Sequence, residues 1–426
     1  MRPRPRWAGS LGLIGVLVTL AVSSPVMAAQ DEDVYSGLPI GLPEFPRRVR
    51  LNLPELKPEH QIRLGILRLH PSFRSAIEYD DNITLASSDE KGDVLFTEKP
   101  ALVGEMKLGN HRLVAGYGME LVTFAKEQEE NTTNHLAEGL LELNFNDLHL
   151  TVTETMENSV GRLFSETAAR DHVLLNAVQI LGRYDRPRWA LESGWTHNTV
   201  DHRTDIFKVD SYGEDVLSVL GGYKMLPKTL ALLETDLGMV NFDHNTRRAD
   251  QWYWQLLTGV RGELTPKVTA TLKIGFQGRQ LSDVGGQGPQ NDFDGVVADF
   301  EVHYAPKVSD VVRVDYVRAV RPSTFADNQW YREDKISLSY RKRVARKWII
   351  TPIYSWQSNA YPEEATVAGN TARRKDYFNQ VGAELRYEMR EWASMGAAYN
   401  FRSRNSNLDA EDYLDNRFSV DVTVAF

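Results

Sequence analysis

The sequence contains no cysteine. That absence excludes a disulfide scaffold, a cysteine-ligated zinc centre and a thiol nucleophile. Long apolar runs are missing as well. Mean hydropathy is −0.40, whereas a polytopic helical membrane protein needs several stretches of about 20 apolar residues. The same average leaves room for a membrane-spanning β-barrel, whose strands alternate apolar and polar residues and so cancel. Basic charge is in short supply, with 49 Lys+Arg against 58 Asp+Glu and a net charge of −9. An acidic balance argues against nucleic acid as a partner. At 426 residues, a prior of roughly 150 residues per domain suggests two or three soluble domains, with one large barrel as the competing answer.

The N-terminal pattern is that of an exported protein. Arg2, Arg4 and Arg6 precede an apolar run from Leu11 to Val22, which Ser23, Ser24 and Pro25 interrupt. Val26-Met27-Ala28 followed by Ala29 supplies the small residues of a leader-peptidase site. An uncleaved anchor fits less well, because a dozen apolar residues are too few to span comfortably. Residues 1–28 are therefore expected to be a signal peptide, whose loss takes the charge from −9 to about −12. Residues 29–64 follow as a periplasmic extension or linker, since Pro39, Pro43, Pro46, Pro54 and Pro58 prevent a regular helix or ladder.

From residue 65 onward the dominant signal has a period of two. Val268, Ala270, Leu272, Ile274 and Phe276 alternate with Thr269, Thr271, Lys273, Gly275 and Gln277. The same holds for Val381 to Tyr387 and for Phe418 to Phe426. Tight turns are expected at Gly109-Asn110, Asn146-Asp147, Asp185-Arg186-Pro187, Pro227-Lys228, Pro266-Lys267, Pro306-Lys307, Ala345-Arg346 and Arg390-Glu391. Their spacing of roughly 40 residues marks a structural repeat. Longer polar segments lie between them, at Asp80–Gly92, Lys126–Asn134, Asp283–Asp294 and Tyr361–Lys375. The count is about eighteen strands, within a range of 16 to 18, joined by eight short turns and nine long loops. An even number returns both termini to one side. A β-propeller shares the period but packs four short strands into it, whereas here each period holds two strands of roughly 10–16 residues. Residues 65–426 are thus expected to form an all-β, transmembrane, antiparallel up-and-down barrel with short periplasmic turns and long extracellular loops.

Two sets of side chains follow from that architecture. Phe145, Trp189, Tyr223, Tyr304, Tyr340, Trp348, Tyr387, Trp392 and Phe426 fall within a few residues of the tight turns, where an aromatic girdle meets lipid headgroups. Ordinary hairpin-end aromatics would explain each singly but not the recurrence. The polar partners of the lipid-facing residues should line the lumen: Glu105, Lys107, Glu142, Glu192, Glu234, Asp236, Arg261, Lys273, Asp299, Glu301, Arg313, Asp315, Lys335, Arg341, Glu384, Arg386 and Asp421. Most of these charges are expected to pair across strands, while together they demand water inside.

No catalytic, cofactor-binding or metal-ligating residue is expected. His197 and His202 lie near Asp201 and Asp205 in one expected external loop, and His244 follows Asp243 in another. With ten histidines in the chain, such neighbours arise by chance, and no helix spacing supports a metal site. Gly285-Gly286-Gln287-Gly288 lacks the strand-then-helix setting of a phosphate cradle, and Asn131-Thr132-Thr133 is a sequon match without evident consequence. The acids Glu127, Glu129 and Glu130, with Asp89 and Glu90, read as solvated loops rather than a divalent-cation site.

The terminal strand, ending in Phe426, resembles the C-terminal signal of bacterial outer-membrane proteins, which implies recognition by the barrel-assembly machinery. A broader resemblance spans nearly all of residues 67–426. Leu69-His70-Pro71-Ser72-Phe73 leading to Glu78-Tyr79-Asp80-Asp81-Asn82-Ile83 resembles the start of an outer-membrane β-barrel porin family, the "porin 2" type. Gly109-Asn110-His111-Arg112-Leu113, Arg261 to Lys267 and Ser323 to Asn328 resemble it too. That resemblance implies a barrel in the cell outer membrane, amid lipid and lipopolysaccharide. It also implies a link to exopolysaccharide or exosortase systems and so to polysaccharide-export components. The expected function is a passive channel for hydrophilic solute or exported polysaccharide. A plugged barrel acting as a scaffold or surface-binding protein is the alternative.

Overall fold

The computed structural model describes residues 61–161, 166, 169–244, 247–282, 291–325, 328–367 and 369–426. The signal peptide and all but the end of the proline-rich segment lie outside the described residues. Pairing starts at β1 (Ile62–Leu64), a short strand folded back on β2 (Leu67–Asp80). This is slightly earlier than the expected boundary at residue 65. No helix of the described residues is long and apolar enough to cross a membrane.

Eighteen long antiparallel strands follow in chain order around one closed sheet. Eight connections of two or three residues join them pairwise on one side. These link β3 (Asp93–Leu108) to β4 (His111–Phe124), β5 (Thr132–Asn144) to β6 (Leu148–Gly161), and β7 (Asp171–Asp185) to β8 (Trp189–His202). They continue from β9 (Tyr212–Leu226) to β10 (Thr229–Phe242) and from β11 (Gln251–Thr265) to β12 (Val268–Leu281). The last three join β13 (Phe293–Lys307) to β14 (Asp310–Pro322), β15 (Trp330–Ala345) to β16 (Trp348–Val367), and β17 (Asn370–Arg390) to β18 (Ala393–Ser406). Finally β19 (Tyr413–Ala425) pairs with β2, from Arg417↔Asp80 to Ala425↔Ser72, and closes the ring. With strands about 4.8 Å apart and tilted about 40°, eighteen strands give a wall roughly 36 Å across between backbones.

Alternation assigns the two faces. Ile274 and Phe276 of β12 are exposed, while Gln277 and Arg279, of opposite parity just beyond them, are buried. The buried polar face is the concave one, because its ion pairs link strands that are not neighbours, as Arg261 of β11 does with Glu192 of β8. The convex face carries the exposed Leu, Val, Ile and aromatic side chains. Such an apolar surface needs a lipid solvent.

Several connections differ from the sequence reading, the turns expected at Ala345-Arg346 and Arg390-Glu391 by a single residue. Pro306 and Lys307 are the last residues of β13, and the turn falls at Val308-Ser309. The pairing register slips between Tyr304 and Lys307, and an irregularity is where a strand tolerates a proline that cannot donate to the ladder. Tyr361–Lys375 is no loop. Here β16 and β17 run on as a hairpin, pairing Glu364 with Arg373, Thr366 with Thr371 and Val367 with Asn370. Glu364, Thr366, Thr371 and Arg373 on the outer face hid this extension, since a strand that projects beyond an apolar band has no apolar outer face to betray it. The Lys126–Asn134 segment is also shorter than expected, because β5 begins at Thr132. Residues 283–290 of another expected loop lie outside the described residues.

Gly262, near the turn end of β11, has φ +132°. An added Cβ would sit 1.9 Å from the Lys228 carbonyl oxygen. Gly262→Ala should therefore cost the barrel on the order of 1–3 kcal/mol. The check is the temperature at which the folded band disappears in heat-modifiable gel electrophoresis, which should fall for Gly262→Ala and not for Gly161→Ala, where an added Cβ meets open space.

Candidate functional site

The seventeen residues expected in the lumen share the concave face by strand parity, and most form ion pairs there. Glu105 accepts from Arg112 Nε at 2.8 Å and lies 3.7 Å from Arg68, while Glu142 lies 3.7 Å from the same Arg112. Glu192 is held by Arg261 and, at 3.5 Å, by Arg183. Lys273 joins Glu234 at 3.0 Å and Asp299 at 3.9 Å, and Asp236 accepts from Gln255. Arg313 bridges Glu301 at 3.3 Å and Asp315 at 2.9 Å. Arg386 binds Glu384 and reaches Asp421 at 3.6 Å, which Arg74 also holds at 3.0 Å. Lys335 is buried on the same face, Arg341 is half-buried, and Lys107 is exposed near the turn side.

The nine aromatics expected at the girdle sit at the turn end, most of them exposed. Trp348 packs at a tilt against its cross-strand partner Tyr387, 4.7 Å between centroids, and Trp392 stacks on Phe426 at 5.6 Å. A second exposed aromatic set at the loop end escaped the sequence reading. It includes Tyr79, Phe96, Trp195, Trp252 and Trp254.

The loop end of the interior is built differently. Val173, Leu175, Val200, Tyr212, Val240, Phe242 and Tyr253, on the concave face of β7 to β11, form a buried apolar cluster. The guanidinium of Arg279 lies 4.5 Å from the Tyr253 ring centroid. A uniformly polar lumen is thus not what the chain forms, because here the inner wall packs against other protein.

That covering includes the loops themselves. Glu166, from the β6–β7 connection, is buried and accepts three hydrogen bonds from the β14–β15 loop. Ser323 Oγ donates at 2.6 Å, Thr324 N at 2.8 Å and Thr324 Oγ1 at 3.1 Å. Those two loops stand eight strands apart in a ring of eighteen, almost opposite each other, so the contact lies well inside the mouth. On the other side, Arg374 of β17 donates to the Glu166 carbonyl at 3.0 Å. Arg374 is fully buried. Asp376 at 2.8 Å and Glu411 at 3.2 Å hold it, and the rings of Phe325 and Tyr361 lie 4.2 and 5.3 Å from its guanidinium.

A second buried guanidinium extends the network. Arg248, in the β10–β11 loop, donates to Asp210 Oδ1 of the β8–β9 loop at 2.5 Å and to the Asn328 carbonyl at 2.9 Å. Gln329 then accepts from Ala249 N at 2.8 Å and donates to the Arg247 carbonyl at 3.0 Å. Removing one partner from such a buried pair leaves an uncompensated charge, at a cost of about 3–5 kcal/mol. Glu166, Arg248 and Arg374 were not singled out from the sequence. Glu166 and Arg248 are isolated loop charges without periodic signal, Arg374 lies in a stretch that read as loop, and the only hint was the Ser323–Asn328 segment.

The histidines are arranged otherwise than the sequence reading supposed. His197, Asp201 and His202 belong to β8 rather than to a loop. His197 is on the convex face with Asp215 at 2.9 Å, whereas His202 points inward to Asp171. Parity therefore separates the two histidines. Asp205 is engaged by Lys208 at 2.6 Å, and Asp243 and His244 are exposed. Among the loop acids, Glu127 binds Lys91 at 2.9 Å and Glu130 binds Arg170. Asn131 caps the Phe124 N–H through its side chain at 2.7 Å. Gly285 to Gly288 lie outside the described residues.

Residues 215–426 match the family model described as "Putative beta-barrel porin 2". No curated protein matches the sequence. Solved structures of similar shape include the outer membrane protein OpdK from Pseudomonas aeruginosa, 12% identical, with 84% of this chain and 99% of that one covered at a TM-score of 0.47. OccAB3 from Acinetobacter baumannii is 10% identical, covering 84% and 99% at 0.46. The siderophore receptor PirA from Pseudomonas aeruginosa is also 10% identical, covering 84% and 80% at 0.44.

Burial holds the Glu166 carboxyl above its ordinary range, against the hydrogen bonds from Ser323 and Thr324 that pull it down. A carboxyl with a raised folded-state value contributes stability at low pH and loses it as pH rises through that value. The seat of Glu166 should accordingly loosen with rising pH. Amide exchange of Thr324, corrected for its intrinsic pH dependence, should accelerate as pH increases. Glu166→Gln should flatten that dependence, and Glu166→Ala should speed exchange at every pH by removing about 1–3 kcal/mol of local protection.

Proposed function

We propose that this chain, a member of the beta-barrel porin 2 family through residues 215–426, is a passive outer-membrane channel for hydrophilic solutes, with exported polysaccharide as one candidate. The observation that carries the reading is the charged concave face of the turn-side half. Asp299 and Glu301 remain 52% and 40% exposed there despite their ion pairs, which requires water inside the wall. Passage is by diffusion through that polar interior, without covalent chemistry. The loop network around Glu166, Arg248 and Arg374 narrows the entrance and sets what enters.

Several companions of this reading rest on the sequence. Residues 1–28 act as the export signal, Phe426 is read by the assembly machinery, and the turn-end aromatics seat the barrel at a headgroup boundary. Polysaccharide-export components are the proposed functional partners. One observation favours a second reading, a closed barrel serving as scaffold or surface-binding protein: the mouth network joins loops from nearly opposite sides of the ring.

Planar-bilayer recording of the purified full chain separates the two. The channel reading expects stable unitary steps, with larger steps in Glu166→Ala. Asp299→Asn combined with Glu301→Gln should lower cation preference measured as reversal potential in a salt gradient. Wild type and Glu166→Ala both silent, with folded barrels inserted, would leave the scaffold.

A further inference from the structure

The convex face carries one charge pattern that neither pore nor girdle explains. Along β15, β16 and β17 the register stacks successive rows toward the loop end. Leu338, Tyr354 and Val381 form an exposed apolar row. Ile336, Trp356 and Asn379 come next, and then Asp334, Ser358 and Tyr377 with Arg318 of β14 beside Asp334. Above them lie Arg332, Ala360 and Lys375, and finally Glu364 opposite Arg373. The wall thus passes from aliphatic to aromatic to cationic within about eight residues of strand, roughly 20 Å along the barrel axis at a 40° tilt.

The clustering is specific to this sector. Among the described strand residues, the lysines and arginines on the convex face of the loop-side half are Arg318, Arg332, Arg373 and Lys375, all on the adjacent strands β14 to β17. The other fourteen spanning strands have none there. Arg318 Nε and Arg332 Nε share one carboxylate, Asp334, at 2.5 and 3.4 Å. Lys375 Nζ lies 5.0 Å from the Tyr377 ring centroid and Arg373 is exposed, neither in a salt bridge among the described residues. Four cations therefore face two carboxylates, Asp334 and Glu364, at the edge of an apolar band. In water such a surplus is merely solvated, but at a bilayer edge it faces headgroups.

We infer that Arg318, Arg332, Arg373 and Lys375 form a docking surface for the phosphates of an anionic glycolipid in the leaflet around the loop-side half. The inference rests on the outer-membrane barrel reading. The lipid's acyl chains would lie against the row of Leu338, Tyr354 and Val381, while its phosphates meet the cationic rows above. Arginine suits this role because its planar fork matches phosphate in bidentate fashion, and lysine adds a mobile point charge.

The test uses the full chain in neutral detergent and native mass spectrometry with three probes: bis-phosphorylated lipid A, lipid A stripped of both phosphates, and inorganic phosphate. Wild type should retain the bis-phosphorylated lipid selectively. In Arg332→Gln/Arg373→Gln/Lys375→Gln that affinity should drop about fivefold for each cation removed, while affinity for the stripped lipid stays put. Lys91→Gln/Lys208→Gln, on exposed loops, should behave as wild type. Unchanged affinity in the triple variant would overturn the inference, as would inorganic phosphate competing at concentrations similar to the lipid. Insertion into phosphatidylcholine vesicles with heat-modifiable mobility is scored in parallel. Failure of the wild type there sinks the membrane reading itself, whereas insertion without lipid discrimination sinks only the docking surface.

Discussion

Backbone hydrogen bonding is the constraint on which everything else in this molecule rests. A strand facing hydrocarbon cannot give its N–H and C=O groups to water, so each must find a neighbouring strand and the sheet can have no edge. The pairing of β19 with β2 meets that demand by joining the two ends of the wall over nine residue pairs, from Arg417↔Asp80 to Ala425↔Ser72. Closure then dictates parity. An even number of spanning strands leaves the start of β2 and the end of β19 on the turn side, and it leaves one more loop than turns.

Closure also creates an inside, and the inside has its own electrostatics. A concave wall of alternating side chains crowds carboxylates and guanidiniums within reach across two or three strands. Arg261 with Glu192 and Arg386 with Asp421 show the result. Individually such half-exposed pairs add little to stability. Their collective effect is to keep the turn-side interior wet. The loop-side half solves the same problem in the opposite way. Its inner wall turns apolar between Val173 and Tyr253, and loops fill the space. Buried charges there are held by partners from other segments, as Arg374 is by Asp376 and Glu411.

The sequence was a good guide wherever a side chain's role follows from period two. It correctly anticipated strand number and the turns at Gly109-Asn110, Pro227-Lys228 and Pro266-Lys267. It failed where that period carries no contrast. The hairpin extension around Glu364 and Arg373 is polar on its outer face, with Thr366 and Thr371 beyond, so it read as loop. The Pro306-Lys307 pair imitated its two predecessors at residues 227 and 266, yet a register slip moved the turn two residues on. His197 and His202 looked like neighbours in sequence, and five residues of strand put them on opposite faces. Least legible of all was the mouth. Glu166 meets Ser323 and Thr324 across 157 and 158 residues of chain, and nothing local to any of the three announces the contact.

That illegibility has a physical basis that bears on how the barrel works. Strand pairing is enforced at every residue by the backbone along the whole length of each strand. The mouth network depends instead on three buried charges, Glu166, Arg248 and Arg374, each bonded to segments that the sheet itself does not hold. Such a network has few ways to be partly formed. A buried carboxylate deprived of its donors is worse than one left in water, so the loops should seat together or release together. The wall and its mouth network are thereby decoupled: a closed sheet sets the outer dimensions, and a small polar cluster within it joins the loops. A change at Glu166 should loosen the loops without disturbing closure, whereas loss of the β19–β2 seam would open the wall and release the loops alike.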